Sequence, residues 1–332
     1  MQGPDRKTDN MKLSIIIVSW NVSRELLNCL RSIMENRPSH SYEIIVIDNA
    51  STDGTIDAVQ NEFPEVKLII NKENRGFAAA NNIGIEQSKG EYILFLNPDT
   101  VIHPNSLDKL ITFMDINESI GVCGPKLLNL DGSPQQSVRR IPSFRAALHR
   151  HTAFKFLGIF KGQYRRWIMK DIDYNRQSDV DQVMGAAMMT RKSILEQVGP
   201  MDEDFFMYYE EVDLCYRIKQ AGFRIVFIPE VEITHLGGCS AGQIPAGKRI
   251  MAMTSLLKFF KKHRGRFSTG FFSCIFKPAL AVRDIIDIIS GIIKYIFATL
   301  VFNERSREKS ADKVKKSFEL LLKYSWWDLF KV

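Results

Sequence analysis

Short apolar runs alternate with amphipathic segments along the first third of the chain. The apolar runs are typical of buried strands, and the segments between them carry apolar residues every three to four positions, as helices do. The predicted strands cover residues 13–18, 43–47, 66–70 and 92–96, and the predicted helices cover residues 23–34, 55–63 and 77–87. This alternation predicts an α/β fold with a mostly parallel sheet covered by helices on both faces.

Polar side chains follow these strands at their carboxyl ends, where ligands of such sheets bind. Ser19 and Asn21 follow the first strand, Asp48 and Asn49 the second, and Asn97-Pro98-Asp99 the fourth. A carboxylate at such a strand exit can hold a hard cation such as Mg²⁺ or Mn²⁺. A simple turn also explains the tripeptide when it is read alone.

The segment after the second strand turns into a helix, and an Asx-turn with a helix cap accounts for Asp53 and Gly54. It does not account for Asp48, whose carboxylate can accept a hydrogen bond from a pyrimidine base or a ribose. A second turn, Asn74-Arg75-Gly76, precedes the predicted helix that contains Asn81. Gly76 permits close backbone approach and Arg75 favours an anion, although a turn role is the alternative.

The pattern becomes less regular after residue 124. Residues 130–143 predict a long loop. Regular helix and strand patterns return in four segments, residues 183–189, 191–198, 212–220 and 224–228. Glu210 and Glu211 open a helix after an aromatic run, so they suit either the helix dipole or a general base of raised pKa. His235 follows the last strand as a metal ligand or a structural histidine.

Charge and hydropathy set the C-terminal part apart. The chain has 332 residues and a net charge of +7, with basic runs at residues 258–266 and 305–316. Nucleic acid, an anionic membrane surface and plain solvent are the possible partners of such runs. Residues 271–302 are strongly apolar, which argues against nucleic acid. Arg283, Asp287, Ser290 and Lys294 form one helical stripe there.

This stripe favours an amphipathic helix that lies in a membrane interface. A spanning or re-entrant helix, and packing against the rest of the protein or a partner, are the alternatives. The five cysteines are scattered and lack C-x-x-C spacing, which predicts reduced thiols in a cytosolic compartment. Residues 1–10 are polar, predict a disordered lead and show no signal-peptide pattern.

Taken in order, the motifs of residues 11–264 resemble the inverting GT-A glycosyltransferases of family 2. Residues 19–21 are similar to the family's first-strand motif, residues 48–55 to its nucleotide-binding segment and residues 74–77 to its N-x-G-F turn. The remaining matches are Asn97-Pro98-Asp99 at the position of D-x-D, Gly185-Ala186 in the glycine loop, Tyr209-Glu210-Glu211 at x-E-D, and His235 at the C-terminal histidine. Two acids differ from the family pattern: Asn97 replaces one Asp of D-x-D, and Glu211 replaces the Asp of x-E-D.

The resemblance implies a GT-A domain over residues 11–265, with a nucleotide-binding half (11–125) and an acceptor half (126–265). The hydropathy and charge of residues 266–332 predict a membrane-associating helical tail after it. It implies that Mg²⁺ or Mn²⁺ is bound by Asp99 and His235. It implies that Glu211 is the base, with Glu210 and Asp213 as fallbacks. The nucleotide would be held by residues of the strand ends and turns, namely Ser19, Asn21, Asp48, Asn49, Asn74, Arg75, Gly76, Asn81 and Asn97.

Gly185, Ala186, Arg139 and Arg140 are the expected substrate contacts, although the two arginines also suit a solvated loop. The Asn-Pro-Asp form and residues 131–143 resemble the rhamnosyltransferase-like branch, which uses dTDP-L-rhamnose in building bacterial surface polysaccharides. The implied acceptor is lipid-linked or a saccharide, at the cytoplasmic face of the bacterial inner membrane, with no nucleic acid partner. The alternatives are transfer of another hexose or galactofuranose from a UDP-sugar, and a catalytically silent sugar-nucleotide scaffold.

Overall fold

A computed structural model describes residues 11–238, 245–300, 304, 307–312 and 314–315. The chain divides into two compact units: unit 1 is Met1–Arg139 with Ile172–Gln243, and unit 2 is Arg140–Asp171 with Ile244–Val332. This division differs from the linear one predicted at residue 265, because residues 140–171 cluster with the C-terminal helices. The predicted lead (residues 1–10) and most of the tail beyond residue 300 lie outside the described residues.

The first half of unit 1 confirms the predicted alternation of strands and helices. Its elements are β1 (Leu13–Ser19), α1 (Ser23–Glu35), β2 (Tyr42–Asp48), α2 (Thr55–Glu62), β3 (Lys67–Ile70), α3 (Phe77–Gln87) and β4 (Tyr92–Leu96). β1 pairs in parallel with β2 and with β4, and β2 pairs in parallel with β3. Every residue of β1 and β4 is buried, as a parallel strand covered on both faces requires.

After β4 the chain continues in unit 1 with β5 (Thr100–Ile102), α4 (Ser106–Asp115), β6 (Ile120–Leu128) and β7 (Val138–Arg139). In unit 2 follow α5 (Phe144–His151), a 3-10 turn (Ala153–Lys155) and α6 (Lys161–Trp167). Unit 1 resumes with β8 (Ser178–Asp179), β9 (Gln182–Val183), β10 (Ala187–Arg191), α7 (Lys192–Val198), α8 (Glu210–Gln220) and β11 (Arg224–His235). The chain then returns to unit 2 with α9 (Pro245–Arg264) and α10 (Arg266–Leu300).

The strands of unit 1 form a mixed sheet. Within the described residues its order is β3-β2-β1-β4-β10-β6-β11-β5, with β8 paired to β11. β10 is antiparallel to β4 and β6, and β5 is antiparallel to β11. The strand predicted at residues 183–189 is broken at Gly185-Ala186 into β9 and β10, and the predicted loop at residues 130–143 contains β7.

Helices cover both faces of this sheet. On one face, Leu26 and Leu30 of α1 and Leu110 of α4 belong to the buried cluster that includes alternate residues of β1. On the other face α3 approaches very closely, because a Cβ at Gly84 would lie 2.5 Å from Ile16 Cγ2. The close approach explains a glycine in the middle of α3, where it otherwise weakens a helix.

Unit 2 is helical in its described part. Phe144 of α5 stacks on Phe272 of α10 at 4.6 Å between ring centroids, and it also meets Phe260 of α9 edge-on. Arg283 of α10 donates to the carbonyl oxygens of Arg150 and His151 at the end of α5, at 3.3 and 2.9 Å. A cation there satisfies carbonyls that the helix itself leaves unpaired.

Two residues of the polar stripe of α10 face into unit 2, as the alternative of packing within the protein allows. The side chains of Arg283 and Asp287 are 18% and 14% exposed and lie 3.5 Å apart. The adjacent Asp284 forms a 2.7 Å ion pair with Arg249 of α9. These charges turn inward because they join α10 to α9 and α5. Across the described residues, no helix combines the length and apolarity needed to cross a membrane.

Four of the five cysteines lie among the described residues, and all four are free thiols. Cys29, Cys123 and Cys215 are buried, and burial raises the pKa of Cys29 and Cys215 to about 12. Cys274 is exposed on α10, and Cys239 lies outside the described residues. Thiols of such high pKa are poor nucleophiles, so the buried three act as small apolar side chains.

Candidate active site

The carboxyl ends of β4 and β11 lie on the same side of the sheet and bring their polar residues together. The antiparallel register of β5 and β11 places His235 opposite Thr100, directly beside the Asn-Pro-Asp tripeptide. His235 Nε2 lies 3.3 Å from Asp99 Oδ1 and 3.4 Å from Asn97 Nδ2. The side chains of Asp99 and His235 are 6% and 7% exposed. The structure therefore joins the two predicted metal ligands, which are 136 residues apart in the sequence.

Gln135 determines which nitrogen of His235 faces Asp99. Its Oε1 lies 2.9 Å from His235 Nδ1, and its Nε2 donates to the His235 backbone carbonyl. With both contacts made, Gln135 Oε1 accepts the Nδ1 proton, so Nε2 is the ring nitrogen that faces Asp99. A cation between Nε2 and Asp99 Oδ1, which lie 3.3 Å apart, would contact both atoms.

The donor set therefore fits a divalent cation, although it is small. In the described part of the chain, no three His, Cys, Asp or Glu side chains converge to form a larger set. One carboxylate and one imidazole would be the protein ligands, with Asn97 as a neutral neighbour. Mg²⁺ and Mn²⁺ are commonly held by few protein ligands together with substrate phosphates and water. Asp99 and His235 would hold the ion, and the remaining positions suit a diphosphate.

A second polar site lies at the carboxyl ends of β1 and β2. Asp48 is fully buried, and its Oδ2 accepts a 2.9 Å hydrogen bond from the Ser51 backbone N–H. Its Oδ1 has no partner, and the hydroxyl of Ser19, the residue opposite in register, has none either. A buried oxygen without a partner costs about 1–3 kcal/mol. Such a pair at a strand end is therefore suited to bind the base or ribose of a ligand.

Asn49 and Asn74 were predicted to contact the nucleotide, but their side chains serve the loop instead. Asn49 Nδ2 donates to Asn74 Oδ1 at 3.0 Å and to the Gly76 carbonyl at 3.1 Å. Its Oδ1 accepts from Asn71 and from the Arg75 backbone N–H. Because all these positions are occupied, Asn49 has little capacity left for a ligand. It connects the loop after β2 to the turn before α3.

Asn21 and Asn81 are also engaged within the protein. Asn21 Oδ1 accepts from the Thr52 backbone N–H at 2.7 Å, and the backbone of Asn21 is left-handed with φ of 52°. Asn81 is buried and donates to the Phe77 carbonyl at 2.9 Å. Arg75 is exposed and lies 4.0 Å from Glu203. Arg75 is therefore the one of the three whose side chain reaches the surface as a charged group, where it can meet an anion.

Gly76 connects the N-x-G-F turn to the segment that precedes α8. Its φ is 84°, and a Cβ there would lie 2.4 Å from the Phe206 carbonyl oxygen. The Phe77 N–H donates to the same oxygen at 2.7 Å. Gly76 is therefore needed both for its backbone conformation and for the close approach. Through this contact the turn positions the segment that leads to Glu210 and Glu211.

Two adjacent carboxylates open α8. Tyr208 and Tyr209, just before them, both have positive φ, of 69° and 73°. Burial raises the pKa of both Glu210 and Glu211, and for Glu210 the negative charge of Glu211 raises it further. Each carboxyl group has one oxygen, Oε2, without a partner. Strained backbone and raised carboxyl pKa values together are typical of a catalytic acid or base.

Accessibility distinguishes the two glutamates. Glu210 is buried at 5% exposure, whereas Glu211 is partly exposed. A Cβ at Gly185 would lie 3.7 Å from the Glu211 Cβ, and the carbonyl of the next residue, Ala186, accepts from the Asn97 N–H at 2.9 Å. Gly185 and Ala186 thus connect the Asn-Pro-Asp tripeptide to Glu211. The unpartnered Oε2 of Glu211 is itself buried, so Glu211 is the more exposed residue of the pair but its carboxyl group is largely covered.

Asp213 is a poor base. It is fully buried, and its Oδ2 accepts from Arg217 Nε at 2.8 Å. The same guanidinium donates to the backbone carbonyls of Val198, Gly199 and Pro200. The guanidinium already engages one oxygen of this carboxylate, and the side chain is buried away from any acceptor hydroxyl. Asp213 therefore orients Arg217, which ties α8 to the end of α7, and the predicted fallback role does not fit the structure.

The two arginines predicted to contact substrate lie in different units. Arg139 belongs to β7 of unit 1, and its positive charge partly offsets the rise in the pKa of Glu211. Arg140 begins the unit 2 segment and is exposed. Its backbone N–H donates to the Trp167 carbonyl. Arg139 is thus close enough to Glu211 to tune it, and the substrate role of Arg140 stays a prediction.

Comparison with known proteins identifies the family. The model of "Glycosyl transferase family 2" matches residues 14–199. The chain belongs to glycosyltransferase family 2. It is 30% identical over 250 residues to an N-acetylglucosaminyl-diphospho-decaprenol L-rhamnosyltransferase of Mycobacterium tuberculosis, a match that covers 70% of this chain and 79% of that protein. It is 29% identical over 234 residues to the dTDP-rhamnosyl transferase RfbF of Shigella flexneri, covering 69% and 70%.

Solved structures give the same fold. A mannosyltransferase from Pyrobaculum calidifontis in complex with GDP-Man and Mn²⁺ superposes with a TM-score of 0.54 at 17% identity, over 95% of this chain and 88% of that chain. A structure of GalNAc-T7 with UDP, GalNAc and Mn²⁺ superposes with a TM-score of 0.52, also at 17% identity, over 69% of this chain and 44% of that chain. The GT-A fold, the rhamnosyltransferase-like branch of family 2 and a glycosyltransferase enzyme are thereby confirmed.

Gln135 is the residue of the site that the sequence reasoning did not assign. It lies within residues 131–143, a segment that indicates the rhamnosyltransferase-like branch and contains the predicted substrate contacts Arg139 and Arg140. Its backbone N–H donates to the Leu127 carbonyl at 2.7 Å, which fixes its position after β6. A polar residue in a motif-bearing loop was the available signal. Its partner could not be read from the sequence, because His235 is 100 residues away.

Gln135→Leu is expected to weaken Mn²⁺ binding by about 10–100-fold, the usual cost of losing a partner that orients a metal-binding histidine. Gln135→Glu keeps an oxygen that accepts the His235 Nδ1 proton but loses the amide donor to the His235 carbonyl, so its Mn²⁺ affinity should fall between those of the parent and Gln135→Leu. Manganese affinity can be measured by electron paramagnetic resonance without donor sugar. Nitrogen NMR of the histidine rings, in the metal-free protein, reports whether the tautomer changes. An unaltered tautomer and affinity in Gln135→Leu would remove Gln135 from the site.

Proposed function

We propose that this family 2 enzyme transfers L-rhamnose from dTDP-L-rhamnose to an acceptor hydroxyl, with inversion and with the help of Mg²⁺ or Mn²⁺. The observation that carries the proposal is the convergence of three groups at the carboxyl ends of the unit 1 strands. Asp48 offers an unpaired buried oxygen, Asp99 and His235 offer a cation site, and Glu211, the more exposed residue of the acid pair, offers a carboxylate of raised pKa. Together they match a nucleotide, its diphosphate and an acceptor.

In the proposed reaction, Asp48 and Ser19 bind the base or ribose of the donor. Asp99 and His235 hold the cation, which when bound supplies positive charge next to the diphosphate. Glu211 takes the proton of the acceptor hydroxyl while that oxygen forms a bond to the anomeric carbon. The bond to the nucleotide diphosphate breaks on the opposite face, so the configuration inverts. A single displacement needs one base, and Glu211 is the more exposed residue of the pair.

The sugar and the acceptor are proposed from the relatives. Two of them are named for rhamnosyl transfer, one from a dTDP-sugar and one to a diphospho-decaprenol lipid that carries N-acetylglucosamine. We therefore favour rhamnose, and an acceptor that is a lipid-linked or free saccharide in bacterial surface polysaccharide or glycolipid assembly. Transfer of another hexose or galactofuranose from a UDP-sugar is the alternative. A catalytically silent scaffold is disfavoured, since the relatives named above are glycosyltransferases.

A lipid-linked acceptor requires the enzyme to reach a membrane. We propose that the protein works at the cytoplasmic face of the bacterial inner membrane, bound at the surface. Nucleic acid is not a proposed partner. Free thiols among the described cysteines are compatible with a reducing compartment.

A donor screen tests the proposal. With Mn²⁺ present, dTDP-rhamnose at 100 times its Kd is expected to stabilise the fold by about 2.7 kcal/mol, which raises Tm by several degrees. UDP- and GDP-sugars should give smaller shifts at equal concentration. Asp48→Ala should lose the shift, whereas Glu118→Ala, which removes an exposed carboxylate just before β6, should keep it. A larger shift with a UDP-sugar would favour the alternative donor.

A further inference from the structure

The charges of the chain are divided between its two units. Residues 140–171 contain eight lysines and arginines and one aspartate, and residues 244–332 contain eighteen basic and seven acidic residues. Unit 2 therefore has a formal charge of +18, and the remainder of the chain has −11. The sequence alone showed the basic runs near residues 258–266 and 305–316. It did not show that residues 140–171, here called the insertion, belong with them.

α10 carries an exposed apolar stripe along its length. Its members are spaced by three or four residues, or by a whole number of helical turns, and each is at least 40% exposed. Six that define this outer stripe are Phe267, Phe271, Ile285, Ile289, Ile293 and Ile296. Phe267, at 97%, is the most exposed of them, and the helix is about 50 Å long at about 1.5 Å per residue. An exposed apolar patch of this extent marks an interaction surface.

On α10 several charged side chains face inward and the apolar side chains face outward, the opposite of a helix that packs one face against a core and exposes the other to water. Arg283, Asp284 and Asp287 face into unit 2, where Arg249 and the carbonyls at the end of α5 receive them. Phe272 and Phe276 are also buried on that side. The ion pairs and the aromatic contacts hold α10 in this rotation, so the apolar stripe stays outward. A helix packed in this way needs an apolar partner on its outer side.

The insertion adds to the same kind of surface. Its 3-10 turn packs against α10, and the turn is followed by Phe156 and Leu157, which are 50% and 72% exposed. α6 and its neighbourhood present exposed cations, among them Lys161, Arg166 and Lys170. At the start of α10, Lys262, Arg264 and Arg266 are exposed beside Phe267. Apolar and cationic side chains thus occur together in both segments of unit 2.

We infer that the insertion and the C-terminal helices form one docking module whose partner is an anionic lipid bilayer surface. This inference deepens the proposed function, since it specifies how the enzyme meets a lipid-linked acceptor. Bilayer lipid provides an apolar layer for the outer stripe and anionic headgroups for the flanking cations. A second copy of the chain fits less well, because two faces of the same positive charge would repel each other. Nucleic acid has no apolar layer for the stripe.

Vesicle flotation of the full-length protein, without donor or acceptor, tests the module. Binding is expected to vesicles of phosphatidylcholine with 30 mol% phosphatidylglycerol and to be weak on pure phosphatidylcholine at the same lipid concentration. Each basic residue near such a surface contributes about fivefold in binding. Lys161→Gln/Arg166→Gln/Lys170→Gln should therefore weaken it by about 10²-fold. The matched control removes three exposed cations of unit 1, Arg24→Gln/Lys89→Gln/Lys109→Gln, and should bind as the parent does.

The apolar contribution is tested separately. Ile289→Ser/Ile293→Ser/Ile296→Ser should abolish vesicle binding, while Ile289→Leu/Ile293→Leu/Ile296→Leu should keep it. Light scattering checks that all variants have the same mass, and thermal melting checks that they fold. Lipid binding that is unchanged both in the variant without the insertion cations and in the serine variant of the stripe would overturn the inference. So would a parent dimer that the serine variant dissociates, or RNA binding of strength equal to that of anionic vesicles. Because no donor is present, donor specificity does not affect this outcome.

Discussion

Glu211→Gln is expected to lower the rate of sugar transfer by about 10²–10⁴-fold, the usual contribution of a general base. The amide has nearly the same shape but cannot accept the acceptor's proton. Nucleotide binding should be unchanged, because Asp48, Asp99 and His235 are intact. Steady-state transfer rates and nucleotide affinity, measured on the same preparation, separate the two effects. Turnover near that of the parent would show that Glu211 is not the base.

Glu210→Gln is the matched control for this variant. Glu210 is buried, so its loss should reduce the rate far less than the loss of Glu211. Glu211 raises the pKa of Glu210, whereas Glu210 is not among the groups that raise the pKa of Glu211. Because the pKa of Glu210 is raised further, Glu210 keeps its proton while Glu211 loses its own. A neutral amide at position 210 should therefore leave the acidic limb of the pH–rate profile where it is in the parent. The opposite ranking of the two variants would make Glu210 the base.

The parent enzyme has a related pH dependence. Burial raises the pKa of Glu211 above its ordinary value, although Arg139 partly offsets this effect. The fraction of active enzyme should therefore grow as the pH rises through that raised pKa. A profile in which kcat/KM has its acidic limb above the usual range of a glutamate is the expected sign. Glu211→Asp, which restores the acid typical of the family at this position, should keep part of the activity.

The first half of unit 1 was predictable because its strands are covered on both faces. A parallel strand such as β1 must be apolar throughout, so the run itself identifies it. The contact between β5 and β11 was not predictable in the same way. It pairs Thr100 with His235, and nothing local in either segment specifies that register. The metal site was therefore inferred from the resemblance, and the structure supplied the distance.

Residue type also left the role of polar side chains open. Asp48 and Asn49 are adjacent and both buried, yet one keeps an unpaired oxygen and the other has its hydrogen bonds filled within the protein. The sequence cannot show this difference because it depends on the turn at residues 71–76. The stripe of α10 is a similar case. Its spacing correctly predicted a helix, but which face turns inward depends on Arg249 and on the end of α5.

Asp99→Ala is expected to abolish metal-dependent nucleotide binding and to lower the transfer rate by about 10²–10³-fold, the cost of losing one electrostatic contact to developing charge. Asp99 is the charged protein ligand of the proposed cation site, because Asn97 is neutral. Nucleotide affinity should be measured with Mn²⁺ and again with EDTA. The parent should bind more weakly in EDTA, and Asp99→Ala should bind equally weakly in both. Affinity equal to the parent's under both conditions would remove Asp99 from the site.

Asn97→Asp tests the same proposed cation site by adding a carboxylate, whereas Asp99→Ala removes one. Asn97 Nδ2 lies 3.4 Å from His235 Nε2, so a carboxylate in its place would stand beside the proposed cation. The variant restores the second acid of D-x-D and should bind Mn²⁺ more tightly than the parent, because a hard cation gains a charged oxygen ligand. Glu118→Ala, which removes an exposed carboxylate just before β6, should leave Mn²⁺ affinity unchanged. Tighter binding in Asn97→Asp together with loss in Asp99→Ala can arise only if both positions face the same ion.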